Sequence, residues 1–125
     1  DQDSLAHLYP LATLQKMGVP LAAGSDAPVS PPNPLLGIYA AVTRRTASGN
    51  TISPEQGISA EDALRMHTIG GAYASFQENI KGSIQVGKLA DMVLLTQDPT
   101  GAVVEVIKDS VVAMTVVGGN VVWES

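Results

Sequence analysis

Few side chains in this sequence have both a type and a position suited to chemistry, and Asp26 is the clearest. In the stretch GVPLAAGSDAP it is the first charged residue after the apolar run at residues 19–23. A short apolar run bounded by turn residues is typical of a strand buried on both faces, although its length does not exclude a helix segment. Loops at the carboxyl ends of strands carry functional groups in parallel α/β folds. Asp also caps turns and helices, so the spacing alone leaves both roles open for Asp26.

The two histidines, His7 and His67, do not extend Asp26 into a catalytic set. They lie far apart in the sequence and belong to no H-x-H or H-E-x-x-H pattern, so a self-contained zinc site has too few ligands. For His67, which follows Met66 in a presumed helix, a packed imidazole is favoured over a metal ligand. A triad with Ser25 also fails, because adjacent Ser and Asp cannot both orient one imidazole and no G-x-S-x-G elbow surrounds Ser25.

The composition excludes several classes of protein. With 45% hydrophobic and 15% charged residues, the chain is globular material. Its formal net charge of −5 argues against nucleic acid or an anionic membrane surface as a partner. The absence of cysteine excludes disulfides and thiolate metal sites and favours a reducing, cytoplasmic location. No apolar run approaches the roughly 18 residues of a membrane span, and no glycine-rich phosphate-binding pattern is present.

The first half of the chain reads as one repeat of an α/β architecture. Leucines spaced by threes predict a helix over residues 4–17, with Pro10 breaking it or starting its second part. The apolar run at residues 19–23 predicts a strand, and a proline-rich loop follows. A second helix is predicted over residues 34–45, where Pro34 occupies the first turn and two arginines the last.

The second half begins with a helix and becomes rich in β-structure. Ser59 is the predicted N-cap of a helix that ends near Gly70-Gly71. The runs GSIQV, DMVLLT and VVAMTVVGGNVVWE then predict strands, with a tight hairpin turn at Gly119-Asn120. Before DMVLLT, Lys88 and Asp91 are placed to form a surface ion pair, which contributes only about 0–1 kcal/mol.

Four stretches carry a family resemblance when taken in order: GVPLAAGSDAPVSPPNPLLGIYAAVTR, ISAEDALRMHTIGGAYAS, IKGSIQVGKLADMVLL and AMTVVGGNVVWE. They resemble the C-terminal end of a metal-dependent hydrolase of the amidohydrolase superfamily, most closely its amidohydrolase-3 (YtcJ-like) branch. The resemblance covers nearly the whole chain from about Leu8 onward.

The fold class that the resemblance implies is α/β. Residues 1–79 would form the C-terminal part of a (β/α)8 barrel, and residues 80–125 would form strands of a small flanking β-sandwich. In the segment GKLAD, Gly87 and Asp91 would serve the turn and packing of that sandwich. A complete barrel needs roughly 200 residues or more, and the chain starts at Asp1 without an initiator methionine. We therefore expect a piece of a longer polypeptide.

The resemblance also implies a role for Asp26. In such enzymes the aspartate that ends the last barrel strand is the general base and acid toward a metal-bound water, and often a metal ligand, during hydrolysis of C–N bonds in amide-like small molecules. The cofactor would be a divalent metal, zinc. The family's other ligands, which include an H-x-H pair after the first barrel strand, are absent from this sequence. We therefore expect that this chain alone holds no metal and is inactive without the missing N-terminal part of the same protein.

The alternative is a non-catalytic, β-rich assembly or interaction module. Strand edges and apolar helix faces left without neighbours favour self-association. This interpretation needs no catalytic role for Asp26.

Overall fold

The computed structural model describes Leu5, residues 7–101 and residues 103–125. The helices are α1 (Leu11–Lys16), α2 (Pro34–Thr43), α3 (Ala60–His67), α4 (Ile69–Ala74) and α5 (Glu105–Asp109), with a 3-10 turn at Pro54–Gln56. The strands β1 (Met92–Leu95), β2 (Val112–Val117) and β3 (Asn120–Glu124) form one antiparallel sheet in the order β1-β2-β3. Among these residues, no helix has the length and apolar composition that crossing a membrane requires.

Helix α1 starts directly after Pro10, as the sequence predicts for the second part of its N-terminal helix. Pro10 is the N-cap of α1, while part of the predicted helix over residues 4–17 lies outside the described residues. After Gly18, whose φ is +74°, the chain runs through the apolar segment of residues 19–23. The prediction of a strand there is wrong: the segment pairs with no strand.

Two helices hold that segment instead of a sheet. The N–H of Val19 donates to Leu14 O at 3.0 Å, and the N–H of Ala23 donates to Met66 O at 3.1 Å. A strand is defined by hydrogen bonds to a neighbouring strand. Leu21 and Ala23 pack against the core, so the apolar pattern marks a partly buried segment but not a strand.

Helix α2 begins as predicted and ends two residues earlier than the predicted residue 45. The side chain of Asn33 accepts a hydrogen bond from Leu35 N at 3.0 Å, and Pro34 occupies the first turn. Arg44 adopts the left-handed conformation at the C-cap, with φ 57°, so Arg44 and Arg45 lie outside the helix. The Arg44 guanidinium then donates to the Leu8 carbonyl at 2.7 Å, which ties the N-terminal segment to this turn.

Helix α3 starts at the predicted cap but stops before the predicted glycines. Ser59 Oγ accepts from Asp62 N at 3.1 Å. Thr68, with φ −119° and ψ −94°, ends α3, and α4 then includes both glycines, so the predicted end near Gly70-Gly71 is wrong. Gly70 is needed for close approach: a Cβ there would lie 2.2 Å from the Leu21 carbonyl oxygen.

The C-terminal third contains fewer strands than its pattern predicts. The run GSIQV forms no strand, and a helix, α5, lies between β1 and β2. The β2–β3 hairpin is present, but its turn is at Gly118-Gly119, one residue before the predicted position; both glycines have positive φ, as a tight hairpin turn requires. The register shifts in both pairings, leaving Ala113 unpaired against β1 and Val122 unpaired against β2.

The buried core lies mainly among the helices. Its members are Ala12, Leu35, Ile38, Ile58, Ala63, Met66 and Ile107. Only Ile107 comes from the C-terminal third, and it is contributed by α5 rather than by a strand. The sheet therefore stands beside the core and adds little to it.

The segment GKLAD joins the helical part to the sheet. The predicted ion pair between Lys88 and Asp91 is wrong, because each side chain bonds to a different partner. Lys88 Nζ donates to the Glu78 carbonyl and, at 2.7 Å, to Ser83 Oγ. Asp91 Oδ1 accepts from Gly118 N at 2.8 Å. Lys88 thus binds the segment that follows α4, whereas Asp91 stabilises the turn between β2 and β3.

Candidate functional site

Asp26 lies on an exposed turn directly after the extended segment of residues 19–23. Its backbone is left-handed, with φ 53°, and its carbonyl accepts from Val29 N at 2.8 Å. For a non-glycine residue this conformation is uncommon, and Asp and Asn tolerate it better than most. Asp26 is exposed to solvent on this turn.

The sequence left open a structural role for Asp26 as a helix cap or as a turn residue, and the structure distinguishes between these two. The helix that follows is capped by Asn33, so Asp26 is not the helix cap. Asp26 closes a turn, but it does so through its main-chain carbonyl. Ser30 Oγ strengthens the same loop by donating to the Ser25 carbonyl at 2.5 Å. The loop is held by these neighbours, and the Asp26 carboxylate takes part in no hydrogen bond that the described residues provide.

A groove of about 960 Å³ lies beside this loop. Its lining includes Gly24 and Ser25, the residues that precede Asp26, and the proline-rich loop. Gly37 and Ala40 of α2 also line it. Asp26 itself does not line the groove. Its volume falls within the range of small-molecule sites, which are roughly 300–1,000 Å³.

His67, the last residue of α3, also lines this groove. Its ring packs against Gly37 so closely that a Cβ on Gly37 would lie 2.9 Å from Nε2. The side chain is half-buried, and this burial lowers the pKa of His67 below its ordinary value of 6.5. The interpretation as a packed histidine therefore agrees with the contacts. His7 is exposed before α1 and does not line the groove.

Two cations that line the groove were not recognised as site residues in the sequence. Arg45, just beyond α2, and Lys108, on α5, both line it. Lys108 Nζ lies 5.4 Å from the centre of the Tyr39 ring, and Arg45 Nη1 is 3.8 Å from Glu105 Oε1. The residues come from separate parts of the chain, so no local motif announces them.

The donor set for a metal is incomplete within the part of the chain that the structure describes. No group of three or more His, Cys, Asp or Glu side chains there is arranged to hold a metal ion. A single carboxylate such as Asp26 leaves most coordination positions to water. A tightly held divalent metal would need ligands from outside these residues.

Comparison with known proteins gives a consistent family match. The model of the amidohydrolase family matches residues 2–123. The chain is 32% identical to an N-substituted formamide deformylase of Arthrobacter pascens, over 94% of this chain and 22% of that protein. It is 30% identical to the putative amidohydrolase YtcJ of Bacillus subtilis strain 168, over 98% of this chain and 24% of that protein.

The same relationship is found in structure. A crystal structure of an amidohydrolase from Thermotoga maritima aligns with 99% of this chain at a TM-score of 0.69 and 25% identity. The alignment covers 26% of that protein. The chain thus spans about a quarter of the length of the proteins that it matches.

Proposed function

Because the chain belongs to the amidohydrolase family, we propose that it forms the C-terminal part of a metal-dependent hydrolase that acts on C–N bonds of amide-like small molecules. Within that enzyme, residues 1–79 complete the barrel and residues 80–125 contribute to the flanking sandwich. The remaining part of the same polypeptide is the principal partner. The two relatives described above, a deformylase and an amidohydrolase by name, support this reaction class.

Asp26 is the residue that we assign to the chemistry. The observation that carries the assignment is its position: an exposed carboxylate, free of side-chain hydrogen bonds within the described residues, on a turn that opens beside a groove of small-molecule size. A carboxylate with no structural partner is available to accept a proton from an attacking water and to return it to the leaving nitrogen. The metal is proposed for the complete enzyme, with zinc as the expected ion, because the donors described here do not form a site by themselves.

The role of Asp26 is tested in a polypeptide of the full family length that contains this chain. Asp26→Asn keeps the size of the side chain and removes the proton acceptor, so kcat on a simple N-alkylformamide should fall about 10²–10⁴-fold. Asp109→Asn, a change of the same kind on α5, should leave kcat unchanged. Turnover that survives in Asp26→Asn would exclude Asp26 as the base.

The inactivity of the isolated chain is a separate proposal with its own test. The 125-residue chain is incubated with Zn²⁺ and the same formamide, and its turnover is compared with that of Asp26→Asn. We expect equal, background rates. Turnover by the unmodified chain that is lost in Asp26→Asn would show that the described residues suffice for catalysis.

A second candidate function is assembly, and the exposed sheet favours it. Several large apolar side chains of β1 and β3 are at least 46% exposed: Val93, Leu94, Val121, Val122 and Trp123. Contiguous apolar surface of this kind marks interaction sites. Light scattering over a range of concentrations tests the idea: concentration-dependent growth in mass supports self-association, and a constant monomer mass contradicts it.

A further inference from the structure

The groove beside Asp26 carries a charge pattern that the proposed reaction does not require. The chain as a whole has a formal net charge of −5. Yet the ionisable side chains that line the groove, within the part of the chain that is described, are Tyr39, Arg45, His67 and Lys108, with no carboxylate among them. A concave surface lined by one sign of charge concentrates ligands of the opposite sign.

Neither cation is held closely by a carboxylate within the part of the chain that the structure describes. The Arg45 side chain is 51% exposed, and its contact with Glu105 at 3.8 Å is longer than a strong charge-assisted hydrogen bond, which is about 2.7–2.9 Å. Lys108 Nζ lies above the Tyr39 ring, which keeps the ammonium at the groove wall and offers no acceptor atom. Each cation therefore retains donor capacity toward the groove.

The groove also adjoins the loop that carries the proposed reacting group. Its lining includes Ser25, the residue before Asp26, together with Arg45 and Lys108. Other lining residues are apolar or small, such as Pro32, Leu36 and Ala40. A few polar groups at defined positions along an apolar surface are the usual composition of a small-molecule site.

We propose that this groove binds the carboxylate of a small organic anion through Arg45 and Lys108, which makes acidic amides the substrate class of the proposed hydrolase. This inference rests on the proposed function for the reaction, while the binding itself does not depend on turnover. Arg45 already lies beside the carboxylate of Glu105, and a guanidinium matches the two oxygens of a carboxylate in geometry. The carboxylate of the ligand would bind Arg45 close to the place where the Glu105 carboxylate now lies.

The test measures binding to the 125-residue chain in the absence of metal. The probes are N-acetylglycine and its neutral analogue N-acetylglycinamide, which differ in charge and hardly in size, each titrated against isotope-labelled protein by NMR. We expect N-acetylglycine to bind at least about fivefold more tightly. Its shifts should fall on the groove residues, and the preference should shrink as salt is added.

Two variants locate the charge recognition. Arg45→Gln and Lys108→Gln should each weaken N-acetylglycine binding about three- to tenfold and leave N-acetylglycinamide unaffected. Lys16→Gln, which makes the same change of net charge on α1 outside the groove, should change neither. Because the two variants lie on different elements, a local disturbance of one leaves the other as a test.

Two results would overturn the assignment. Equal affinity for the charged and neutral probes would exclude a carboxylate site, and a loss in Lys16→Gln as large as in Arg45→Gln would reduce the effect to overall charge. Neither result would bear on the catalytic role of Asp26, which is measured by turnover in the longer polypeptide.

Discussion

The helical part of the chain and its three-stranded sheet are stabilised in different ways. The helices bury seven apolar residues in a shared core, among them Ile38 and Ala63, each only 1% exposed. No residue of β1, β2 or β3 is fully buried. The sheet depends on its backbone hydrogen bonds, a glycine turn and the side chain of Asp91. Apolar composition alone therefore does not indicate where a chain has its core.

The difference between the two parts is tested most strongly by truncating one large apolar side chain in each. Ile38→Ala should lower the free energy of unfolding by about 2–5 kcal/mol, because it leaves a cavity among the helices. Val122→Ala on β3, where the side chain is 58% exposed, should change it by no more than about 0.5 kcal/mol. Urea unfolding of both variants checks the pair. Similar losses in the two would mean that the sheet is packed in solution.

The next effect concerns two adjacent glycines in α4. Gly70→Ala should destabilise the fold by about 1–3 kcal/mol, because its Cβ would meet the Leu21 carbonyl oxygen at 2.2 Å. Gly71→Ala meets nothing within 4 Å and should stabilise the helix by about 0.5–1 kcal/mol. Thermal unfolding of the two variants gives the sign of each. If both were stabilising, the extended segment would not be pressed against α4.

A smaller effect tests the side chain that fastens the hairpin. Asp91→Ala removes the acceptor for Gly118 N and should cost about 0.5–1.5 kcal/mol. Asp109→Ala is the matched control, since the Asp109 carboxylate takes part in no hydrogen bond that the described residues provide. Amide hydrogen exchange should show faster exchange at Gly118 only in Asp91→Ala. Unchanged exchange at Gly118 would show that the Asp91 side chain does not stabilise the hairpin turn.

The smallest effect is the pH dependence of the helical part. The folded state lowers the pKa of His67 by burial, so the unfolded state binds a proton first as pH falls below about 6.5. The contribution of His67 is therefore complete above that pH and is lost as pH falls through the lowered folded value.

Thermal midpoints between pH 7.5 and pH 5 measure this contribution. We expect the midpoint to fall over that interval, and to fall less in His67→Gln. The Asp62 carboxylate does not contribute between pH 7.5 and pH 5. Its hydrogen bonds, chiefly from Ser59, lower its pKa below the ordinary value of 3.8. A midpoint that falls equally in His67→Gln would assign the effect to other groups.

The sequence correctly predicted those parts of the fold that are determined by contacts between residues close together in the chain. The cap at Ser59, the proline start of α2 and the hairpin in the last strands are each set by residues within one turn of each other. Predictions failed where a distant partner decides. Residues 19–23 form no strand, and the glycines at 70–71 lie inside α4, where the absence of a Cβ on Gly70 admits the Leu21 carbonyl.

The residues of the candidate site likewise differ in whether the sequence could predict them. Asp26 could be found because one apolar run ends beside it, and its exposure on a turn agrees with that prediction. Its catalytic and metal-binding roles stay predictions that come from the family resemblance. Arg45 and Lys108 could not be found, since 62 intervening residues separate them in the sequence and only the packing of α5 against α2 brings both to one groove.

The unpaired Val122 in β3 has a consequence for how this protein meets other chains. An extra residue in an edge strand bends its backbone and breaks the even row of donors and acceptors that another strand would need. The outer edge of the sheet is therefore a poor template for strand addition and for fibrous aggregation, although three of its residues are valine or tryptophan with large exposed surfaces. A partner of the sheet, whether the rest of the enzyme or a second copy, is therefore expected to pack on its faces or to pair with the β1 edge rather than to add a strand to β3.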